Sequence, residues 1–487
     1  MRILKLIESV GLRKKYPDSE NFKVSGISCN SKEVKENFVF VAVKGSCQDG
    51  GRFIDQAISN GARVVLHAPG FKRQVYKNVV FIPVKDTRKI VAKLAAVFYG
   101  QPAKKIKVVG ITGTNGKTTI SYLLEALVKK AGLSAAVIGT VNYRFKNKII
   151  PAKNTTPGPL PMQLLLAKMV KENVDYVIIE ASSHALDQDR TGEIEFHSAI
   201  FTNLTQDHLD YHKSLENYFL AKAKLFKNLG PSSFAVINND DKYARRLNKL
   251  TKARVITYGL GKNSKVRATD IKFNLSHTEF NLCFAGKKIG LRANLIGRHN
   301  IYNMLAAAAW GIKAGLGLPV IKKALGAFRL VPGRLERVNN NKGFFVFVDY
   351  AHTEDALKNV LSCLRQLCQG RIITVFGCGG ERDKLKRPKM GKVVSELSDI
   401  AIITNDNPRL ENPLGIIKDI QKGIARDNYL IIAKRSEAIK KALLLAKEKD
   451  IILIAGKGHE NYQVLKNRTI HFDDREAVKE CLESMSY

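Results

Sequence analysis

From about residue 100 onward, short apolar runs rich in Val and Ile alternate with helix-length segments of mixed polarity, the pattern of βα units and a mostly parallel sheet. IKVVGIT (106–112), DYVIIEA (175–181), SAIFTNL (198–204) and SFAVINN (233–239) are the strands expected of a central domain. A second set begins near residue 343, with FFVFVDY (344–350), RIITVFG (371–377), IAIITND (400–406), YLIIAK (429–434) and IILIAGK (451–457). Helix-length segments separate these runs too, so they predict a second doubly wound domain. The first hundred residues read as a smaller α/β unit with strands such as NFVFVAV (37–43) and NVVFIPV (78–84). Breaks at YGQPAKK (99–105) and FRLVPGRLERV (328–338) divide the chain into 1–102, 103–331 and 332–487. The expected fold is α/β in three domains: a small N-terminal unit, a central P-loop ATPase-like sheet and a C-terminal Rossmann-like domain.

Composition agrees with that plan. The 487 residues exceed one comfortable core, and 45% hydrophobic with 25% charged content is that of an ordinary globular protein. The opening MRILKLIESVGLRKKYPDSE has no long apolar core or small-residue cleavage site, and no apolar run approaches the roughly 18 residues that span a bilayer. A cytoplasmic protein without membrane insertion is expected, as a monomer. The seven cysteines are scattered with no CxxC pair, which favours reduced thiols over disulfides or a zinc site. A net charge of +36 raises the alternative of a nucleic-acid-binding ATPase. The longest basic run is only Arg13, Lys14 and Lys15, and the other basic residues are spread along the chain. A basic surface attracting small anionic substrates is the preferred reading, and no nucleic-acid partner is expected.

The first candidate chemistry is GITGTNGKTT (110–119), where a strand ends and a helix should begin. Gly113, Thr114, Asn115, Gly116, Lys117, Thr118 and Thr119 would cradle the phosphates of ATP. Glycines turn backbone N–H groups inward, Lys117 adds positive charge and the Thr118 hydroxyl can hold Mg²⁺. The spacing departs by one residue from the strict P-loop, which wants glycine at position 111, where Ile111 stands. Farther on, Glu180 closes an apolar strand, the position from which carboxylates face the ligand crevice of doubly wound folds. Taken alone it is a helix cap or an ion-pair partner; with His184, His208 and Asp210 at neighbouring strand ends it suggests metal or phosphate chemistry.

GTNGKTT together with EASSHAL, NLTQDHLDYH, AKAKLF, GRHNIYNMLAA, PGRLE, DYAHT, GCGGERDKLKRP, DNPRLENP and AGKGHENYQ resembles the Mur ligases, in order from about residue 27 to about residue 463. The resemblance implies an N-terminal domain for a uridine nucleotide, a central ATPase domain and a C-terminal domain for an incoming amino acid. The implied reaction is amide-bond formation in peptidoglycan precursor synthesis, with ATP as co-substrate and Mg²⁺ as cofactor. A substrate carboxylate becomes an acyl phosphate, which an amine then displaces. The residues matching the family's machinery are Lys117, His208 as the metal-side histidine, and Lys222 as a carbamate (N6-carboxylysine) that holds a metal. Thr118 and Glu180 match the partners of another magnesium. Without the resemblance, Lys222 is an ordinary surface-helix lysine and Lys224 serves equally well. Asn300, Arg334, Asp349 and His352 match ATP contacts. Cys29, Ser31, the loop Ser46 to Gln48, Asn154, Thr155, Thr156, Ser182, Gln188 and Arg190 match contacts to UDP-N-acetylmuramoyl-L-alanyl-D-glutamate. One departure is Glu354, where the family has proline after DYAHT; an acid at a helix start is favourable to the dipole.

The amine is addressed by DNPRLENP (406–413). Taken alone, Asp406 and Asn407 form an Asx-type turn, stiffened by Pro408, and nothing more. With the resemblance, Arg409 becomes the partner of a distal carboxylate, which its planar fork suits, and the motif implies meso-diaminopimelate. Asp406, Asn407 and Pro408 beside it, with Arg382, Gly456 and Glu460, match the remaining contacts, with Glu460 opposite the distal ammonium. The alternatives are the same scaffold adding L-lysine, and a related ligase acting on a different acid such as folate.

Overall fold

The computed structural model describes residues 1–17, 20–45, 48–71 and 76–485. Runs such as Ile372–Phe376 and Ile451–Ala455 are buried at every position, as strands covered on both faces must be. They assemble into three main sheets.

The N-terminal sheet is parallel, in the order Gly26–Ser28, Phe38–Val41, Ala62–His67 and Val80–Pro83. Helices Ile3–Ser9 and Thr87–Phe98 cover one face, and Ile54–Ser59 covers the other.

Eleven strands form the central sheet. Lys107–Thr112 lies in its middle, between Phe196–Phe201 and Tyr176–Glu180 and parallel to both. Helices Lys117–Lys130 and Arg298–Lys313 pack on one face, and Leu215–Lys227 packs on the other. Trp310, the chain's single tryptophan, is fully buried there and donates its indole N–H to Ser198 Oγ at 3.0 Å. Antiparallel additions close both edges: Asn142–Phe145 with Lys148–Pro151, and Val266–Phe273 with Thr278–Phe284 and Lys287–Ala293.

The C-terminal sheet runs Glu336–Val338, Phe345–Asp349, Ile451–Ala455, Ile372–Phe376, Ile400–Ile403, Tyr429–Ile431, parallel except for the first. Helices lie on both faces, as a doubly wound domain requires. Glu354 is the first residue of helix Glu354–Leu367, and Thr353 caps that helix by accepting the Ala356 N–H.

The expected strands are present, most with shorter ends; SAIFTNL is instead shifted, running Phe196–Phe201. IAIITND stops at Ile403, because Thr404 to Asp406 leave the sheet to build a loop. Among the described residues no helix is long and apolar enough to cross a membrane. The six described cysteines are free thiols.

Candidate active site

Strand Lys107–Thr112 ends in the glycine turn, and helix Lys117–Lys130 begins directly after it. Gly113 has φ +148° and Gly116 φ +88°. A Cβ on Gly113 would lie 1.8 Å from Thr202 Oγ1, and one on Gly116 2.4 Å from Asn303 Oδ1, so no other residue fits either place. Lys117 Nζ donates to the carbonyls of Gly113 and Thr114, each at 2.8 Å. Burial pulls its ammonium below the ordinary lysine value, against the pull of Glu180 and Asp207.

Glu180, 1% exposed at the end of its strand, accepts from Thr118 Oγ1 at 2.8 Å, Ser121 Oγ at 3.3 Å, Thr140 Oγ1 at 2.8 Å and Thr140 N–H at 3.2 Å. Arg334 comes over from the C-terminal side, its Nη2 at 3.4 Å from Thr118 Oγ1 and its guanidinium 4.4 Å from the Tyr350 ring.

Helix Leu215–Lys227 carries the two lysines that the sequence could not separate. Lys224 faces solvent and pairs with Asp187 at 3.1 Å. Lys222 is 2% exposed; its Nζ lies 4.3 Å from the Tyr218 ring, one helical turn away, and donates to the Gly113 carbonyl at 2.8 Å. That carbonyl also receives Lys117. Burial first, and Lys117 next, hold the Lys222 amine well below the ordinary lysine value. Nearby, His208 sits at φ +53° with its ring 4.8 Å from His184 and 6.3 Å from Tyr218, and its Nε2 is 3.3 Å from Asp207 Oδ2. Burial lowers His208 to about 4. Asp210 is exposed on the following turn.

The expected metal residues thus fall into two groups, Thr118 with Glu180 and His208 with Lys222, and no hydrogen bond or ring contact joins the groups among the described residues. Among the described residues no three His, Cys, Asp or Glu side chains converge as a ready-made cation cage. Mg²⁺ needs none, because it is commonly held by one or two carboxylates with water and substrate phosphate. Glu180 and the Thr118 hydroxyl, at the mouth of a phosphate loop, fit that requirement.

On the C-terminal side, Asp349 is taken up by backbone: its carboxylate accepts from Leu335 N–H at 2.6 Å and Ala351 N–H at 2.7 Å, tying the PGR segment to the DYAHT turn. Burial raises its pKa. His352 Nδ1 is 2.8 Å from the Tyr350 carbonyl, and burial brings the ring down to about 4. Asn300 is 3% exposed and donates to the Ile296 carbonyl at 2.9 Å. The two large domains also touch at the phosphate loop itself, where Asn115 Nδ2 donates to Asp355 Oδ2 at 2.7 Å.

The DNPR segment is not a self-contained Asx turn. Asp406 Oδ1 accepts the very next N–H, whereas Asn407 reaches out: Nδ2 to Glu460 Oε2 at 2.9 Å, and Oδ1 to Val464 N–H at 2.9 Å. Lys457, fully buried, is 3.3 Å from Glu460 Oε2 and donates to the Tyr462 carbonyl. Burial raises the Glu460 pKa, with Lys457 pulling the other way. Gly456 has φ +116°, and a Cβ there would come within 2.7 Å of Asp406 Oδ2. Arg409 Nη1 donates to the Gly380 carbonyl at 2.7 Å, while its Nε and Nη2 donate to no protein group among the described residues. Arg382 is exposed on the facing loop. Beneath them Arg435 and Asp474, both fully buried, form a two-point pair at 2.7 Å, and Arg435 Nη2 donates to the Ala455 carbonyl at 3.0 Å.

One cleft of about 970 Å³ takes in the phosphate loop, His208, Lys222, Arg334, Arg382, Arg409 and Glu460. Asn154, Thr155, Thr156, Ser182 and Arg190 line its other end. Arg190 donates to Gln188 Oε1 at 2.7 Å and the Thr156 carbonyl at 3.2 Å. Arg190 also lines a smaller cavity of about 260 Å³, together with Gln188, Cys29, Gly45 and Arg88. Ser31 does not line it; its hydroxyl donates to Gln56 Oε1 at 2.6 Å. Of the loop Ser46 to Gln48, Ser46 and Cys47 lie outside the described residues.

The sequence reading did not single out Thr140, Asp207, Asp355 or Lys457. Lys457 and Asp207 stand inside quoted motifs, AGKGHE and NLTQDHLDYH, and that position was the available signal. Thr140 carried none.

A glycine turn between strand and helix that shares one cleft with basic and acidic side chains of a second Rossmann-like domain is the arrangement expected of a nucleotide-dependent enzyme. Comparisons with known proteins carry this further. Residues 111–311 match the Mur ligase middle domain, 333–458 the Mur ligase glutamate ligase domain, and 23–99 the Mur ligase family catalytic domain. The chain is 46% identical over 470 residues to a UDP-N-acetylmuramoyl-L-alanyl-D-glutamate–2,6-diaminopimelate ligase of Clostridium botulinum, covering 96% of this chain and 97% of that one. For the ligase of the same name in Clostridium tetani the identity is 44%, with 95% of each chain covered. A solved structure of such a ligase superposes with a TM-score of 0.71 at 30% identity, covering 100% of this chain and 99% of its own. The chain belongs to the Mur ligase family. Its members are ATP-dependent enzymes that form amide bonds and use Mg²⁺.

Proposed function

We propose that the protein joins meso-diaminopimelate to the glutamate carboxylate of UDP-N-acetylmuramoyl-L-alanyl-D-glutamate at the expense of ATP, in the cytoplasmic part of peptidoglycan precursor synthesis. The observation that carries this reading is the single cleft with the phosphate loop on one wall and Arg382, Arg409 and Glu460 on the other. A carboxylate is a poor electrophile. It attacks the γ-phosphorus of ATP, the bond to the β-phosphate oxygen breaks, and ADP leaves an acyl phosphate behind. The amine then attacks the acyl carbon, phosphate departs and the ammonium proton is lost to solvent.

The protein's part is positioning and charge. Gly113 to Thr119 hold the phosphates with backbone N–H groups, and Lys117 stands over them. Glu180 and Thr118 would hold Mg²⁺, which supplies screening of the transferring phosphate. Lys222, buried with its amine biased toward the neutral form, is suited to take up CO₂: a nitrogen–carbon bond forms, a proton leaves, and a cation becomes an anion beside His208. Asn300, Arg334, Asp349 and His352 would complete the nucleotide site. Asn154 to Thr156, Ser182, Gln188 and Arg190, with Cys29, would hold the uridine substrate. Arg409 and Arg382 would receive the distal carboxylate of the amine, and Glu460 its ammonium. L-Lysine lacks the carboxylate those arginines require.

The nucleic-acid alternative predicts a different dependence. Phosphate release from ATP is expected to require both the UDP-muramoyl dipeptide and the amino acid, and to be unmoved by added DNA or RNA, in a steady-state phosphate assay. Release driven by nucleic acid alone would overturn the ligase reading.

A further inference from the structure

The two loops at the amine end of the cleft, 379–384 and 406–413, are held to one another by a side chain to which no role has been given, Glu411. Gly380 N–H donates to the Asn407 carbonyl at 2.9 Å, and Arg409 Nη1 returns a bond to the Gly380 carbonyl at 2.7 Å. Glu381 N–H donates to Glu411 Oε1. The same carboxylate meets Arg387 at two points, Nη2 with Oε1 and Nη1 with Oε2, each at 2.9 Å. Arg387 is 1% exposed and has Asp419, at 3.1 Å, as its other ionic partner. It holds the Glu411 carboxyl down at about 2, so the link is ionic throughout the neutral range.

Backbone strain marks the same place. Glu381 has φ +53° and Arg409 φ +52°, left-handed conformations that cost non-glycine residues free energy and persist only where the surroundings impose them. A Cβ on Gly380 would lie 2.0 Å from the Pro408 carbonyl oxygen, so the two loop backbones pack too closely there for any side chain. Arg382 directly follows Glu381, and Arg409 stands two residues before Glu411. One carboxylate therefore fixes the backbone beside both arginines. Glu411 itself does not line the cleft.

We propose that Glu411, anchored on buried Arg387, is a specificity-determining positioning residue: it sets the separation of Arg382 and Arg409 so that both address one distal carboxylate. The protein's preference for an amine that carries this carboxylate then depends on a residue that never touches it. This rests on the reading that the two arginines face the amino-acid substrate.

The test compares kcat/KM for meso-diaminopimelate and for L-lysine in wild type, Glu411→Gln and Glu411→Ala, with KM for ATP and a thermal melt alongside. Glutamine keeps an acceptor for Glu381 N–H and loses the ionic link; alanine loses both. For diaminopimelate, kcat/KM should fall about 10-fold in the first and about 100-fold in the second, mostly through KM. Lysine use, at whatever level the wild type shows, and KM for ATP should hold within about twofold, so selectivity collapses by the same factors. A fall shared equally by both amines, or no fall in either variant, overturns the proposal. If alanine melts early, the glutamine variant decides. A wild type without preference for diaminopimelate overturns the underlying reading, and the proposal with it.

Discussion

Lys222→Ala and Lys222→Arg are expected to lower kcat alike, by about 10²–10³-fold, with the affinity for ATP little changed. The two substitutions separate two roles. Were Lys222 needed as a cation, arginine would preserve it; if the working form is the carbamate, arginine fails as completely as alanine. The structure favours the second role because the Gly113 carbonyl receives both Lys117 and Lys222, each at 2.8 Å, and two buried ammonium groups on one acceptor repel. Lowering the amine pKa enlarges the neutral fraction at any pH above the lowered value, and that neutral amine is the form that reacts with CO₂. Wild-type activity should accordingly rise with bicarbonate in CO₂-depleted buffer, and an arginine variant of near-native activity contradicts this account.

The second large effect is expected at the other end of the cleft. Arg409→Ala should cost about 2–5 kcal/mol in kcat/KM for diaminopimelate, roughly 30-fold or more, because the distal carboxylate is left desolvated without its partner. KM for ATP should stay near the wild-type value. Arg409 also braces the neighbouring loop through Gly380, so the alanine variant loses a structural bond as well. Arg409→Lys resolves the two contributions: an ammonium keeps the charge but cannot offer two parallel N–H bonds, and diaminopimelate use should remain depressed. Equal loss of ATP and amine use in initial-rate kinetics would make Arg409 a brace alone.

Much of the fold could be read from the chain because its strands are continuous Val and Ile runs, which only burial on both faces explains. The antiparallel edges were harder. Thr278–Phe284 alternates buried and half-buried positions over a few residues amid polar neighbours, a faint signal beside IILIA. At the site, the glycine turn was legible because its residues are contiguous and their spacing follows from backbone geometry alone. Lys222 and Lys224 could not be told apart from the helix itself; the difference is set by Tyr218 below and by the Gly113 carbonyl, 109 residues away in sequence. Asp355 likewise acquires meaning only by meeting Asn115 across 240 residues. Neither contact leaves a local pattern in composition or period. The Asx reading of DNPR failed for the same reason, since Asn407 spends its side chain on Glu460 and Val464 rather than on its own turn.

The central claim is the amine that is added. Incubating the protein with ATP, Mg²⁺, UDP-N-acetylmuramoyl-L-alanyl-D-glutamate and an equimolar mixture of meso-diaminopimelate and L-lysine, then reading the product by mass spectrometry, tests it in one experiment. The predicted result is the diaminopimelate tripeptide as the dominant product. Comparable amounts of the lysine product, or no tripeptide of either kind, would contradict the assignment of Arg382 and Arg409 to a distal carboxylate.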